Sequence, residues 1–446
     1  MIAPQDFRIC VIGAGPSGLA TAKNLLQAGF HNFTVFEKND RVGGNWIYST
    51  VPGHSSVYQS VRSISSKTLS QLEDFPFPDH YPPYPSQSLL LKYFESYARR
   101  FELFNHIRFT SEVEHVEKVG GQRWIVTLSD GATQEFHALF VCNGHHWCPR
   151  MPLVPGTFTG RLLHSHDYKS AHIFERDRVL IIGGGNSGAD IAVQIARVAG
   201  TCSMSLRRGY HVLPRFIFGI PSDVWYARLA WLPWPVFKTL GGRLIRWAIA
   251  AYTRRGLPKP DHALLACHPL INSELLYYVR ERRIRTLAAV ERFDGNRVWF
   301  SDGSSGEFDT VIACTGYAVR FPFFDRDFIN YEDDVPTLYL RTFHPEHRDL
   351  FFIGLVQPNG SIWPLADLQA KLTANYLLGS YRLPEDLERR CFAEADNIRR
   401  SFVRSPRHNL EVHYHEFRRL LLRQIPASAP AWNADRAPVF APGKYA

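Results

Sequence analysis

The sequence predicts an α/β protein with two Rossmann-like units, one inserted in the chain of the other. Three observations predict it. FRICVIGAGPSGLATA (Phe7–Ala22) runs from an apolar strand through three glycines spaced G-x-G-x-x-G into a helix of small residues. DRVLIIGGGNSGADIA (Asp177–Ala192) repeats the pattern. Apolar strands return after the second unit, so the first fold is completed by the chain that follows it. The divisions predicted are 1–155, 156–308 and 309–446, the last a return to the first domain with a helix-rich end.

Taken in order, Arg8–Ile12 is a short apolar strand, Leu19–Leu26 continues as a helix, and Phe33–Glu37 is the next strand of the βαβ unit. Arg123–Asp130 (RWIVTLSD) alternates and ends in Asp-Gly, as a hairpin does. Ala138–Val141 is a buried strand. The second βαβ unit begins at Val179, and strands recur at Arg297–Ser301 and Asp309–Ala313. Pro384–Arg423 is rich in helix-forming residues. No repeat with a period of tens of residues appears beyond the duplicated unit.

The bulk composition is that of a globular protein, and 446 residues are enough for two or three domains. The net charge of +9 is dispersed, without the basic blocks or reading module of a nucleic-acid binder. The seven cysteines form no C-x-x-C pair and no zinc spacing, so reduced thiols, no metal site and a cytoplasmic location are expected. No secretory signal pattern stands at the start, and no run approaches the ~20 apolar residues of a membrane span.

The glycines define the chemistry. In each copy the first permits the turn, the second admits a pyrophosphate to the backbone, and the third brings helix and sheet together. The helix N-terminus then faces the phosphates with free N–H groups. In the first copy these are Gly13, Gly15 and Gly18, with Pro16 and Ser17 between; in the second, Gly183, Gly185 and Gly188, with Asn186 and Ser187. Specificity comes from the tip of the next strand. Glu37 lies 19 residues past Gly18, and a carboxylate there accepts from ribose hydroxyls, as FAD or NAD requires. Arg207 lies 19 residues past Gly188 and is followed by Arg208. Two guanidiniums there would pair with the 2′-phosphate of NADPH. Lys38–Trp46 (KNDRVGGNW), with Lys38, Gly44, Asn45 and Trp46, favours FAD at the first site. Asp309–Tyr317 (DTVIACTGY) is a second signal of the same kind, with Asp309, Thr315 and Gly316 expected beside the ribityl chain.

Phe158–Lys169 (FTGRLLHSHDYK) fits F-x-G-x-x-x-H-x-x-x-Y-K through Phe158, Gly160, His164, Tyr168 and Lys169. With the two glycine motifs and ACTGY, the chain resembles the flavin-containing monooxygenases, class B flavoproteins. Ser170 departs from the Pro or Asp usual in the family. The resemblance continues through SVYQSV (Ser56–Val61), DFPFP (Asp74–Pro78), VCNGHH (Val141–His146) and FIGLVQP (Phe352–Pro358); Gly209–Pro269 matches bacterial branches alone. It implies that NADPH reduces FAD, O₂ adds at flavin C4a, and the peroxide passes one oxygen to a soft nucleophile such as an amine or sulfide; the Trp-rich stretch Val224–Arg255 points to an apolar small molecule as that substrate. It implies a structural role for the His164 motif. Tyr168, where Baeyer–Villiger relatives carry Trp, favours the heteroatom-oxidising branch. No Ser/His/Asp or Cys/His arrangement stands out, and Ile64, Ser65 and Gln357 are the flavin-proximal candidates. Ile64 aligns with an Asn of the animal members and has nothing to donate. Oxygenation of a ketone or 2-oxo acid, an NADPH oxidase or electron-transfer flavoprotein, and a non-enzymatic redox sensor are the competing classes.

Val224–Arg255 (VWYARLAWLPWPVFKTLGGRLIRWAIAAYTRR) is rich in Trp with interleaved Arg and Lys, in an insertion of about 209–269. Three readings stay open. It is a peripheral helix on a membrane surface, a lid over an apolar tunnel, or an ordinary core or subunit contact.

Overall fold

The structure is a computed structural model that describes residues 6–51, 55–120, 123–231, 243, 256–325, 328–329, 331–332, 335–403 and 409–427. The greater part of the Trp-rich stretch 224–255, namely 232–242 and 244–255, lies outside the described residues.

Two parallel five-stranded sheets organise the chain. The first has the order Leu350–Phe352, Ala138–Val141, Ile9–Ile12, Phe33–Phe36, Ile107–Arg108. ICVI and ALFV are buried at every position because helices and a β-meander cover both faces of the sheet. The hairpin predicted at Arg123–Asp130 is part of that meander, which pairs Val113–Val119, Arg123–Leu128 and Thr133–Phe136. Strand Leu350–Phe352 comes from the far end of the chain and pairs in parallel with Ala138–Val141 of the first sheet.

The second sheet has the order Ile284–Leu287, Thr201–Ser205, Arg178–Ile182, Thr310–Ala313, Arg161–His164. This corrects one expectation. The strand opening the 309–446 division belongs to the inserted domain, where Thr310–Ala313 pairs in parallel with Val179–Ile182. The crossing back lies beyond it, where Tyr317–Ala318 pairs with Cys148–Pro149. Asp309 is corrected with it. At the N-terminal end of that strand, opposite the glycine turns, it takes the Arg178 guanidinium on both oxygens at 3.1 and 2.7 Å. It clamps the sheet and does not meet a ribityl chain.

Helix Pro16–Gln27 packs on helix Trp363–Leu377 through a buried polar knot. Lys23 Nζ lies 2.8 Å from Asp74 and 2.9 Å from Asp367, and Asn24 donates to Asp367 at 2.7 Å. Burial pulls the Lys23 ammonium down, and the two carboxylates more than offset it, so the charge is kept. The knot fixes the helix whose N-terminus faces the first cavity.

Candidate active site

At the first glycine turn, strand Ile9–Ile12 ends in Gly13 with φ +101°, where a Cβ would stand 2.9 Å from the Cys142 carbonyl oxygen. A Cβ on Gly18 would overlap the Gly13 carbonyl oxygen, so the third glycine is what lets helix and turn touch. Gly15 caps helix Pro16–Gln27 without any side chain on its first N–H groups. These groups open onto a cavity of about 290 Å³ lined by Gly13, Gly15, Pro16, Ser17, Glu37, Lys38, Gly44, Asn45 and Trp46 among others. Glu37 is buried and prepared for a ligand. Its Oε2 accepts from the Ala14 N–H at 2.7 Å and its Oε1 from Asn39 at 2.9 and 2.7 Å, which aims the carboxylate and leaves lone pairs toward the cavity. Asn45 is held by Ser56 at 2.9 and 2.7 Å, and Trp46 stands edge-on to Trp363 at 5.6 Å. The cradle, its uncapped helix end and the aimed carboxylate fit a dinucleotide.

The second turn repeats the design. Gly183, at φ +113°, would place a Cβ 2.5 Å from the Cys314 carbonyl oxygen, and a Cβ on Gly188 would overlap Gly183. Gly185 leaves helix Asn186–Ile195 uncapped. Strand Thr201–Ser205 ends in a buried Leu206, then an exposed Arg207 and a partly exposed Arg208, where cations would meet a ribose phosphate. Asn186 is engaged elsewhere: it accepts from the Ile271 N–H at 2.8 Å and donates to the Pro269 carbonyl at 3.3 Å. Its side chain ties down the segment that leaves the insertion.

Between the turns lies a cavity of about 320 Å³, shared by both domains. Gly185, Asn186 and Ser187 reach it from one side, Asn45 and Trp46 from the other, with Ile64, Ser65, Gly316 and Gln357 between. Gln357 Oε1 lies 3.2 Å from Nε2 of both His145 and His146. Burial pulls His145 below its ordinary value, partly offset by Gln357, so a neutral ring is favoured at pH 7. Ser65 Oγ is 2.8 Å from Ser70 Oγ. Thr315 is tied to the Arg150 carbonyl and neither it nor Gly316 lines the first cavity, against the expectation that both meet FAD.

The Phe158–Lys169 motif joins the domains. A Cβ on Gly160 would overlap the Asp309 carbonyl oxygen, and Phe158 bridges to Gly295. Tyr168 is fully buried, donates to Gln194 at 3.1 Å, and packs against Tyr58 at 5.4 Å. Tyr58 in turn donates to Asp190 at 2.7 Å. Lys169 donates to the carbonyls of Ser55 and Val57, stitching the first domain onto the second. Burial pulls His164 down to about 4, aided by His166, which fits a packed ring against Tyr317 and not a proton carrier near pH 7.

A third cavity, about 170 Å³ and almost wholly apolar, shares Ile64, Ser65, His268, Ile271 and Gly360 with the junction. Trp225, Tyr226 and Leu229 of helix Ser222–Leu229 wall it, with Leu213, Ile217 and Leu264. The described start of the insertion therefore sits over this chamber. The sequence does not announce Trp363, His268 or the 264–271 wall, because no spacing rule marks residues that meet only after folding.

A further arrangement corrects the expectation that no Cys/His pairing is present: Cys267 and His262 are in contact.

The flavin-binding monooxygenase-like family matches residues 6–430. Human flavin-containing monooxygenase 5 is 35% identical over 433 residues, covering 91% of this chain and 80% of that protein. The S-allyl-L-cysteine S-oxygenase of Allium sativum superposes with a TM-score of 0.70 at 24% identity, over 94% of this chain and 88% of its own. The NADP⁺-bound cyclohexanone monooxygenase of Rhodococcus sp. Phi1 gives 0.68 at 17% identity, over 94% and 97%. Among the described residues no helix is long and apolar enough to cross a membrane. The chain belongs to the flavin-binding monooxygenase-like family, and is an oxidoreductase and flavoprotein that uses FAD and NADPH.

Proposed function

We propose that the chain inserts one oxygen atom of O₂ into a nucleophilic nitrogen or sulfur of an apolar small molecule. The observation that carries this is the apolar chamber, which opens on the junction of the two dinucleotide sites at Ile64 and Ser65. When bound, NADPH and FAD supply the hydride and the activation of O₂. The chain's residues bind, orient and keep water out.

In this reading Gly13, Gly15, Pro16, Ser17 and Gly18 receive the FAD pyrophosphate, Glu37 the ribose, and Lys38, Gly44, Asn45 and Trp46 the rest of the first cavity. Gly183, Gly185, Ser187 and Gly188 receive that of NADPH, with Arg207 and Arg208 on its 2′-phosphate. Gln357, its acceptor occupied by two histidines, keeps an amide to donate at the junction. Ile64 and the aromatic wall from helix Ser222–Leu229 exclude water and select apolar substrates.

Oxygenation of a ketone is the second reading, favoured by one observation: Ile64, standing in the shared wall, presents no hydrogen-bond donor. Tyr168 does not argue against it by contact, since it lies in the second-domain core and lines none of the three cavities.

The test is turnover of the purified FAD-loaded protein with NADPH and matched apolar thioether, tertiary amine and ketone. Oxygenated product, hydrogen peroxide and NADPH are counted together. Sulfoxide or N-oxide in near-stoichiometric yield supports the proposal, and lactone or ester from the ketone alone replaces it with the second reading. Peroxide equal to NADPH with every compound refutes both.

A further inference from the structure

One cluster of nucleophilic and basic side chains has no part in the oxygenation. Cys267 Sγ lies 2.9 Å from His262 Nε2, and His262 Nδ1 lies 2.7 Å from Asp261 Oδ1. All three come from the segment that leaves the insertion for strand Leu270–Ile271. Sulfur and imidazole are buried, whereas Asp261 is 59% exposed. The hydrogen bond to His262 holds the Asp261 carboxyl below its ordinary value, with a smaller contribution from Arg208. His211 braces the ring from a third side, edge-on at 5.2 Å, with its Nε2 2.9 Å from the His262 carbonyl.

A carboxylate on one imidazole nitrogen and a thiol on the other form a proton relay. The Asp261 carboxylate, which can only accept, fixes the proton on Nδ1 and so leaves Nε2 as the acceptor that faces the thiol. Burial pushes the thiols of Cys142, Cys202, Cys314 and Cys391 up to about 12, and Cys10 well above its ordinary value.

We propose that Cys267 is a nucleophilic thiolate and the chain's site of covalent modification by peroxides and soft electrophiles, with His262 as its base and Asp261 as the group that orients His262. With hydrogen peroxide the sulfur attacks one oxygen and the O–O bond breaks. Hydroxide leaves and takes the proton of the His262 imidazolium, giving water. The sulfur is oxidised by two electrons to a sulfenic acid and the peroxide is reduced by two. Leu264, Leu265, His268 and Pro269, on either side of Cys267, wall the apolar chamber. An added oxygen in this packed segment therefore shifts the chamber wall.

The intact FAD-loaded protein is treated with iodoacetamide at pH 6.5 and 8.5, or with hydrogen peroxide followed by a sulfenate-trapping dione. Each cysteine is read by peptide mass spectrometry. Exposure alone predicts Cys148 as the first to react, since it is the one half-exposed cysteine of the seven. The proposal predicts Cys267, about tenfold faster than Cys148 at pH 6.5 and rising less than about threefold to pH 8.5, with the dione adduct at the same residue. His262→Asn removes about tenfold of that rate. Faster labelling of Cys148, or an unchanged rate in His262→Asn, overturns the proposal. Where His262→Asn does not fold, the native pH profile decides, because an ordinary thiol gains about tenfold per pH unit below its pKa. No substrate is needed, so the outcome is separate from that of the proposed function.

Discussion

Gly18→Ala and Gly15→Ala separate packing from ligand approach within one motif. A Cβ at position 18 would overlap the Gly13 carbonyl oxygen and stand 2.9 Å from its carbon. Both atoms are backbone, so helix Pro16–Gln27 has to move off strand Ile9–Ile12, against the buried Leu19, Ala22 and Leu25. Overpacking costs about 1–3 kcal/mol, and a backbone obstacle that has no rotamer to escape into sets the upper end. About 3 kcal/mol corresponds to a melting temperature lower by about 6–12 °C in a domain of this size. At position 15 the Cβ would stand 3.5 Å from the Gly44 Cα, an ordinary contact, and the backbone at φ −71° and ψ −179° is open to any residue. The fold should lose about 0.5–1 kcal/mol for the poorer cap. The methyl would nonetheless stand in the cavity at the uncapped helix end. Losing one charge-assisted hydrogen bond there, about 1.5–3 kcal/mol, weakens FAD by about tenfold to 150-fold. The assay is thermal melting of both apo-proteins and titration of each with FAD by flavin fluorescence. Gly15→Ala should melt near the native temperature and bind FAD poorly, whereas Gly18→Ala should melt low. Native FAD affinity in Gly15→Ala, or native melting in Gly18→Ala, would refute the division of roles.

Three further outcomes are expected. Arg207→Ala should lower kcat/KM for NADPH by about tenfold and leave NADH within about twofold, because the lost charge-assisted pairing exists with the 2′-phosphate alone; equal losses would remove Arg207 from that site. Ile64→Asn places an amide donor in the wall shared by chamber and junction, and should lower hydrogen peroxide released per NADPH by about twofold or more; an unchanged ratio would show that position 64 does not govern coupling. Burial pulls His164, His344 and His415 each down to about 4, with neighbouring cations adding to it. Unfolded histidines titrate near about 6.5, so below that pH the unfolded chain binds protons that the native chain refuses. Stability from this source is present above about pH 6.5 and lost as pH falls toward 4. The urea midpoint should be flat from pH 7 to 8 and fall between pH 6 and 4.5; a flat profile down to pH 4.5 would count against it.

Both glycine turns are legible in the sequence because their constraint is local. A carbonyl that allows no Cβ leaves glycine as the one choice, and spacing to Glu37 and Arg207 follows from the length of one βαβ unit. Asp309 misled for a related reason. An Asp ahead of an apolar strand reads alike whether it meets a ligand or clamps a sheet, and the deciding partner, Arg178, sits 131 residues away. The same holds for Cys267. Cys and His five apart carry no recognisable spacing, and only the turn at Ala263–Ala266 brings the sulfur onto the ring.

The Phe158–Lys169 motif and the wall of the apolar chamber are different parts of the molecule. Tyr168 and Lys169 act by docking Ser55, Val57 and Tyr58 on the second domain, so they set the mutual position of the two dinucleotide sites. The chamber is instead walled by helix Ser222–Leu229 and by 264–271. A cofactor cradle tolerates few substitutions because it is backbone geometry. An apolar wall tolerates many, because any side chain of suitable volume preserves burial. Substrate choice should therefore follow Trp225, Tyr226 and Leu229, and exchanging these for smaller apolar residues should widen the accepted substrates with FAD binding unchanged. Loss of FAD from such a variant would mean that the helix supports the first cavity and not the chamber alone.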